Sequence, residues 1–242
     1  MTEDQWLACT DPRPMLDFLH PKWRDCIDPR LMADFRHGET SERKSRLFAC
    51  ACARLVWHRL TAGRSRRAVE TAERYADGFM TKLALLDAKA AAEAAASRAR
   101  EREARSRVVV GNSFSLEVAA HATDQWIPRV LLAPFADPEL CSEKHQDALA
   151  DLIRDIYGNP FRPASLDPTW LTWRDGTIPR LAQVVYEDRQ LPAGHLDASR
   201  LAVLADALED AGCEDANLLA HCRGEGPHLR GCWVVDMLLG KE

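Results

Sequence analysis

Apolar positions along this chain recur with a helical period over most of its length. From Ser41, the residues Leu47, Phe48, Cys50, Ala51, Leu55 and Leu60 fall at three-to-four spacing. That pattern predicts a helix with Ser41 as its N-cap and Gly63 as its stop. Ser65 is the expected cap of a second helix through Ala68, Val69, Ala72, Tyr75 and Ala76 to Gly78. Thr81 opens a third, through Leu83, Leu85, Leu86 and the alanine-rich run 90–96, ending near Arg107. Alanine and arginine favour helix strongly. Few bulky apolar residues follow Leu86, so the distal half is expected either to project or to pack through small-residue contacts.

Val108-Val109-Val110-Gly111 breaks the pattern, and Ser113 is the expected cap of a helix carrying Leu116, Val118, Ala119 and Ala122. A helix over 142–157, capped by Ser142, carries the stripe Leu149, Leu152, Ile153 and Ile156. Further helices are predicted from Thr177, around Leu201–Leu208 with a stop at Gly212, over 215–222 and over 232–239. Residues 1–40 are broken by Pro12, Pro14, Pro21 and Pro29, with Trp6, Leu16, Phe18, Leu19 and Trp23 as apolar anchors. They suggest short helical turns laid over a larger core. No period-two pattern persists. The expected fold is therefore all-α: a single irregular multi-helix domain over 1–242 with a long Ala/Arg-rich helical excursion. Its expected sub-regions are an N-terminal wrap (1–40), a basic helical block (41–110) and an acidic helical block (111–242).

Composition adds exclusions. The chain has 242 residues, 46% hydrophobic and 29% charged, which is too apolar for a disordered protein. No stretch approaches the roughly 18–20 apolar residues of a membrane helix. The polar, acidic start 1–6 is unlike a secretory signal, so a cytoplasmic location is expected. The eight cysteines then read mostly as reduced, small, buried hydrophobes. Charge is uneven: residues 41–110 hold 16 Lys+Arg and 8 Asp+Glu, a net +8, in a chain of net −5.

Five groups of residues are candidates for chemistry or binding. Cys213, His221, Cys222, His228 and Cys232 lie within one short C-terminal segment and are candidate zinc ligands, since zinc needs about four Cys/His side chains. The segment lacks a CxxC knuckle, and core packing of the thiols is the competing reading. His228, Cys232 and Asp236 fall at i, i+4, i+8, a stripe that a thiol nucleophile could use, although catalytic triads normally converge from separate elements. Cys50 and Cys52, near His58, would diverge by about 200° on a helix and read as core. Arg98, Arg100, Arg102, Arg105 and Arg107 crowd the end of the long helix as candidates for nucleic-acid or partner binding, against a solvated face interleaved with Glu93, Glu101 and Glu103. Phe161, Arg162, Trp170 and Trp173 could form an aromatic groove or simply pack inside. No phosphate loop, dinucleotide fingerprint or HExxH motif occurs, and no residue is assigned a catalytic role.

Three segments carry a family resemblance: Leu47-Phe48-Ala49-Cys50-Ala51-Cys52 with Val56-Trp57-His58; Asp155-Ile156-Tyr157-Gly158-Asn159-Pro160-Phe161-Arg162-Pro163 with Trp170-Leu171-Thr172-Trp173; and 204–213 leading to His221-Cys222-Arg223-Gly224 and 227–233. Together they resemble a large paralogous family of uncharacterised planctomycete proteins over nearly the full chain. The helix around 201–212 is also loosely similar to the repeat-companion module of such bacteria. The resemblance implies a bacterial source and domain unity, and supplies no activity or catalytic residues. The expected role is a non-enzymatic protein-interaction or scaffold module, with a metal-stabilised nucleic-acid-associated protein as the alternative and a cysteine-dependent enzyme a distant third. No cofactor is required by this reading, zinc being the candidate. The expected partner is a protein, with nucleic acid second and no membrane.

Overall fold

Short polar side chains begin many of the helices by accepting an otherwise unpaired backbone N–H. In the computed structural model, which describes residues 1–21, 41–106, 112–124, 130–131 and 133–241, Asp11 accepts from Arg13 N–H at 3.0 Å, Ser41 from Lys44 N–H at 3.1 Å and Thr81 from Ala84 N–H at 3.2 Å. Asp167, Asp197 and Asp215 do the same further on. Among the described residues these starts and their neighbours give twelve α-helices and no strand, only an isolated bridge between Gln190 and His195. The chain is all-α. Trp23, Cys26, Arg107 and the expected break at 108–111 lie outside the described residues.

In chain order the helices are α1 (Glu3–Ala8), α2 (Pro12–Leu19), α3 (Glu42–Leu55), α4 (Gly63–Ala76), α5 (Lys82–Ser106), α6 (Asn112–His121), α7 (Glu143–Tyr157), α8 (Pro168–Thr172), α9 (Thr177–Glu187), α10 (Ala198–Asp210), α11 (Ala216–Arg223) and α12 (Trp233–Leu239). They form two compact units, Met1–Ala150 and Asp151–Glu242. The division between the units falls within α7.

In the first unit α5 packs along both α4 and α6. Ala68, Ala92 and Ala120 are buried together, with Ala88 against them. The alanine-rich helix therefore packs through small side chains, which let backbones approach closely, and this settles the choice left open by its sequence. Two buried arginines brace the unit. Arg46 donates from one guanidinium nitrogen to Ala122 O and Asp124 O, both at 2.8 Å. Arg54 grips Glu73 through Nε at 2.5 Å and a terminal nitrogen at 2.8 Å. Burial opposes the charge on Arg54, and the Glu73 hydrogen bond and charge outweigh it, raising its pKa.

Three expected helix signals act differently. Gly63 is the first residue of α4 rather than the stop of α3, which ends at Leu55 before a 3₁₀ turn over Trp57–Arg59. Ser65 lies inside α4, fully buried. Ser113 lies inside α6, where its N–H and Oγ both donate to Glu103 of α5, at 3.2 and 2.6 Å.

The second unit gathers α8 to α12 around Ile178, Val185, Leu201, Leu204, Leu208, Leu218, Val234, Val235 and Leu238. Gly158, just after α7, has φ +72°, and a Cβ there would come within 3.2 Å of the Trp233 ring. Glycine is thus required both by the backbone and by the tryptophan packed against it.

Candidate functional site

The buried stripe of α7 carries an acid at its edge. Leu152, Ile153 and Ile156 are fully buried, and Asp155 beside them is only 3% exposed. A carboxylate tolerates such burial only when its lone pairs are met. One oxygen, Oδ2, accepts the Leu229 N–H at 2.9 Å; the other, Oδ1, lies 3.0 Å from His228 Nδ1 and 3.3 Å from His221 Nε2.

The partners come from two further elements. His221 sits in the last turn of α11, whose start is fixed by the Asp215 cap. His228 lies in the loop between α11 and α12, pinned where its carbonyl accepts the Leu196 N–H at 2.8 Å. Its Nε2 faces Gly224 O at 3.2 Å. Cys232, fully buried, is the residue before α12, and its Sγ is 3.2 Å from His221 Nε2. The two imidazoles meet edge to face at 4.7 Å, and Trp233 covers His221 at 5.1 Å.

Donor atoms of Asp155, His221, His228 and Cys232 all lie within 4.8 Å of one another. Burial disfavours the Asp155 charge, but hydrogen bonds and charge from His221 and His228 outweigh it and hold the carboxyl below its ordinary range. Burial likewise opposes protonation of His228, and Asp155 outweighs it, raising the histidine pKa. Both ring nitrogens of His228 face oxygen atoms, Nδ1 the Asp155 carboxylate and Nε2 the Gly224 carbonyl. Burial pushes the Cys232 thiol well up, and Asp155 adds to the shift. A cavity of about 230 Å³, lined by Asp155, His221, Gly224, Gly226, Pro227 and His228 among others, opens beside the cluster.

This geometry selects among the candidate residues. His221, His228 and Cys232 of the expected zinc set converge, and Asp155 joins them. Cys213 and Cys222 share the hydrophobic core with Cys232 but are not among the donors that gather around Asp155. Burial pushes the Cys222 thiol up to about 12, with Cys213 adding to it. Residues 221 and 222 are adjacent on a helix, and their side chains leave it about 100° apart. The stripe His228-Cys232-Asp236 does not form, because α12 begins only at Trp233 and His228 lies in the preceding loop. Neither Cys232 nor Asp236 lines the cavity. His221 Nε2 meets both Asp155 and Cys232, whereas a catalytic triad needs the acid and the nucleophile on opposite ring nitrogens.

Elsewhere, Cys50 and Cys52 are buried in α3, while the His58 side chain is 67% exposed and faces Glu139. Arg98 and Arg102 line a groove of about 520 Å³ with Arg64 at the start of α4. Arg100 pairs with Glu117 at 3.1 Å, and Arg105 is exposed on the last turn of α5. Trp170 is 6% exposed within the core of the second unit and Trp173 packs against that core. Trp170 is thus unavailable to an aromatic groove; Phe161 is half-buried and Arg162 exposed. Residue type and spacing do not single out Asp155; its one signal in the sequence is an acid at the edge of an otherwise apolar helical stripe.

No protein-family model, curated protein or solved structure matches the chain.

Proposed function

We propose that the protein is a non-enzymatic protein-interaction module of a lineage-expanded bacterial family. An exposed apolar stretch at the start of α5 carries this reading. Phe79 is 65% exposed and Leu83 68%, and Leu86, one turn beyond Leu83, is also exposed, while Leu85 is fully buried. Concentrated apolar exposure marks interaction surfaces on soluble proteins. The stretch lies in the basic block of net +8 over 41–110, so the partner that fits is an apolar protein segment with acidic flanks. The thiols support the non-enzymatic part: Cys232 and Cys222 are buried and held protonated by that burial, whereas a nucleophilic cysteine is exposed to its substrate as thiolate. No two of the seven described cysteines are joined in a disulfide, which fits a reducing cytoplasm. No helix among the described residues is long and apolar enough to cross a membrane.

The test is proximity cross-linking in cells with the full chain and with Phe79→Glu/Leu83→Glu. A protein bearing an apolar, acid-flanked segment should be captured by the first and lost with the second, with helicity unchanged. Capture that is equal for both, or turnover of a defined substrate by the purified chain, overturns the reading.

A second reading, nucleic-acid association, draws on the groove where Arg64, Arg98 and Arg102 meet. It requires a salt-dependent shift of DNA or RNA that Arg98→Ala/Arg102→Ala removes.

A further inference from the structure

We propose that Asp155, His221, His228 and Cys232 form a structural zinc site in the C-terminal unit. The four side chains come from α7, α11, the loop before α12 and the residue that immediately precedes α12. They supply one carboxylate oxygen, two imidazole nitrogens and one thiol sulfur, a mixed N/O/S set that suits zinc. Zinc bond lengths of roughly 2.0–2.3 Å imply tetrahedral edges of about 3.3–3.7 Å between ligand atoms. Three edges are already close to this: 3.0 Å from His228 Nδ1 to Asp155 Oδ1, 3.3 Å from His221 Nε2 to the same oxygen, and 3.2 Å from His221 Nε2 to Cys232 Sγ.

The outer contacts are those that a metal site requires. A ligating histidine directs its second ring nitrogen to a carbonyl or carboxylate, and a ligating carboxylate is itself hydrogen-bonded. His228 Nε2 faces Gly224 O at 3.2 Å, and Asp155 Oδ2 accepts the Leu229 N–H at 2.9 Å. Each contact leaves the other donor atom, Nδ1 or Oδ1, turned into the cluster. The adjoining cavity reaches Asp155, His221 and His228, which gives an ion a path in. Four protein ligands leave no open coordination position, so the site is structural rather than catalytic. The ion would tie α7 to α11 and α12, and the inference is independent of the interaction surface on α5.

The test uses the full chain without a histidine tag, grown with zinc. About one zinc per chain is expected in the purified protein, and less than about 0.2 overturns the site, since structural zinc binds tightly and couples to folding. Cobalt reconstitution should give tetrahedral visible bands and a thiolate-to-cobalt charge-transfer band. Cys232→Ser should abolish the charge-transfer band, while Cys213→Ser and Cys222→Ser retain it; the reverse result overturns the ligand assignment. If Cys232→Ser fails to fold, His221→Gln decides, because His221 is only half-buried. It should bind zinc at least about 100-fold more weakly than wild type, and unchanged affinity overturns the proposal.

Discussion

The Asp155 carboxylate and the His228 imidazole meet at 3.0 Å although each is almost wholly withdrawn from water, 3% and 4% exposed. Removing one member strands the other. With no zinc supplied, Asp155→Ala leaves the buried Leu229 N–H and the His228 ring without their acceptor, and is expected to destabilise the chain by about 1–3 kcal/mol for each group left unsatisfied. Urea denaturation of wild type and variant, both treated with chelator, measures the difference. A loss below about 1 kcal/mol would show that the pair behaves as an exposed one.

Arg54 and Glu73 form the corresponding pair in the N-terminal unit, both side chains 3% exposed. Glu73→Ala should cost about 3–5 kcal/mol, because the guanidinium stays buried without its partner. The double substitution Arg54→Met/Glu73→Leu should recover most of that loss, since apolar residues of similar volume remove the desolvation cost. Thermal melts of the single and double variants provide the comparison. Equal losses in both would mean that the arginine, not the pair, carries the packing.

His20 gives the chain an acid limb. Burial lowers its pKa from 6.5 to about 4. Between those two values the unfolded chain binds a proton that the folded chain refuses, so stability rises with pH across the window and falls as the solution is acidified. The full effect is about 3 kcal/mol, at about 1.4 kcal/mol per pKa unit. His195, lowered chiefly by burial, contributes in the same direction, so the readout is the difference made by His20→Gln. That variant should show a flatter stability profile from pH 6.5 down to 4. Glu139, where the Arg59 hydrogen bond and charge outweigh an opposing burial effect, loses its contribution at lower pH, below the ordinary carboxylate range. An unchanged slope in the His20 variant would contradict the burial argument.

Gly158→Ala tests the turn after α7. The substitution places an L side chain at φ +72° and a Cβ at 3.2 Å from Trp233. Left-handed strain alone is on the order of 1–2 kcal/mol, and displacement of the ring adds to it. Because Trp233 also covers His221, the tryptophan fluorescence should shift together with the melting temperature. A stable variant with unaltered fluorescence would show that the ring has room to move.

Ala92→Leu tests the alanine contact among α4, α5 and α6. Ala68, Ala92 and Ala120 leave no space for three more carbons, and overpacking typically costs about 1–3 kcal/mol. An outward change on the same helix, Ala90→Leu, should be nearly neutral because Ala90 is exposed. Equal melting temperatures for the two variants would place Ala92 at the surface.

The helical class and most of the elements follow from local information along the chain: apolar period, alanine content and caps such as Ser41, Thr81 and Asp215. The sequence also marks His221, His228 and Cys232, since chemistry-bearing residue types can be counted along a chain. Local information misplaced Gly63, which starts α4 rather than ending α3, because either role is open to a glycine between two helices. Tertiary structure alone chose among the C-terminal donors. Cys222 and His221 are neighbours in sequence but leave their helix in different directions, one into the core and one toward Asp155. Asp155 is separated from His228 by 73 residues, and no periodicity relates a carboxylate on α7 to a loop that distant. Packing also decided what the alanine run does: Ala92 is buried only because Ala68 and Ala120 approach it from two other helices. A helical period reports which side of a helix is apolar, and the surface that meets that side is fixed only when the chain folds.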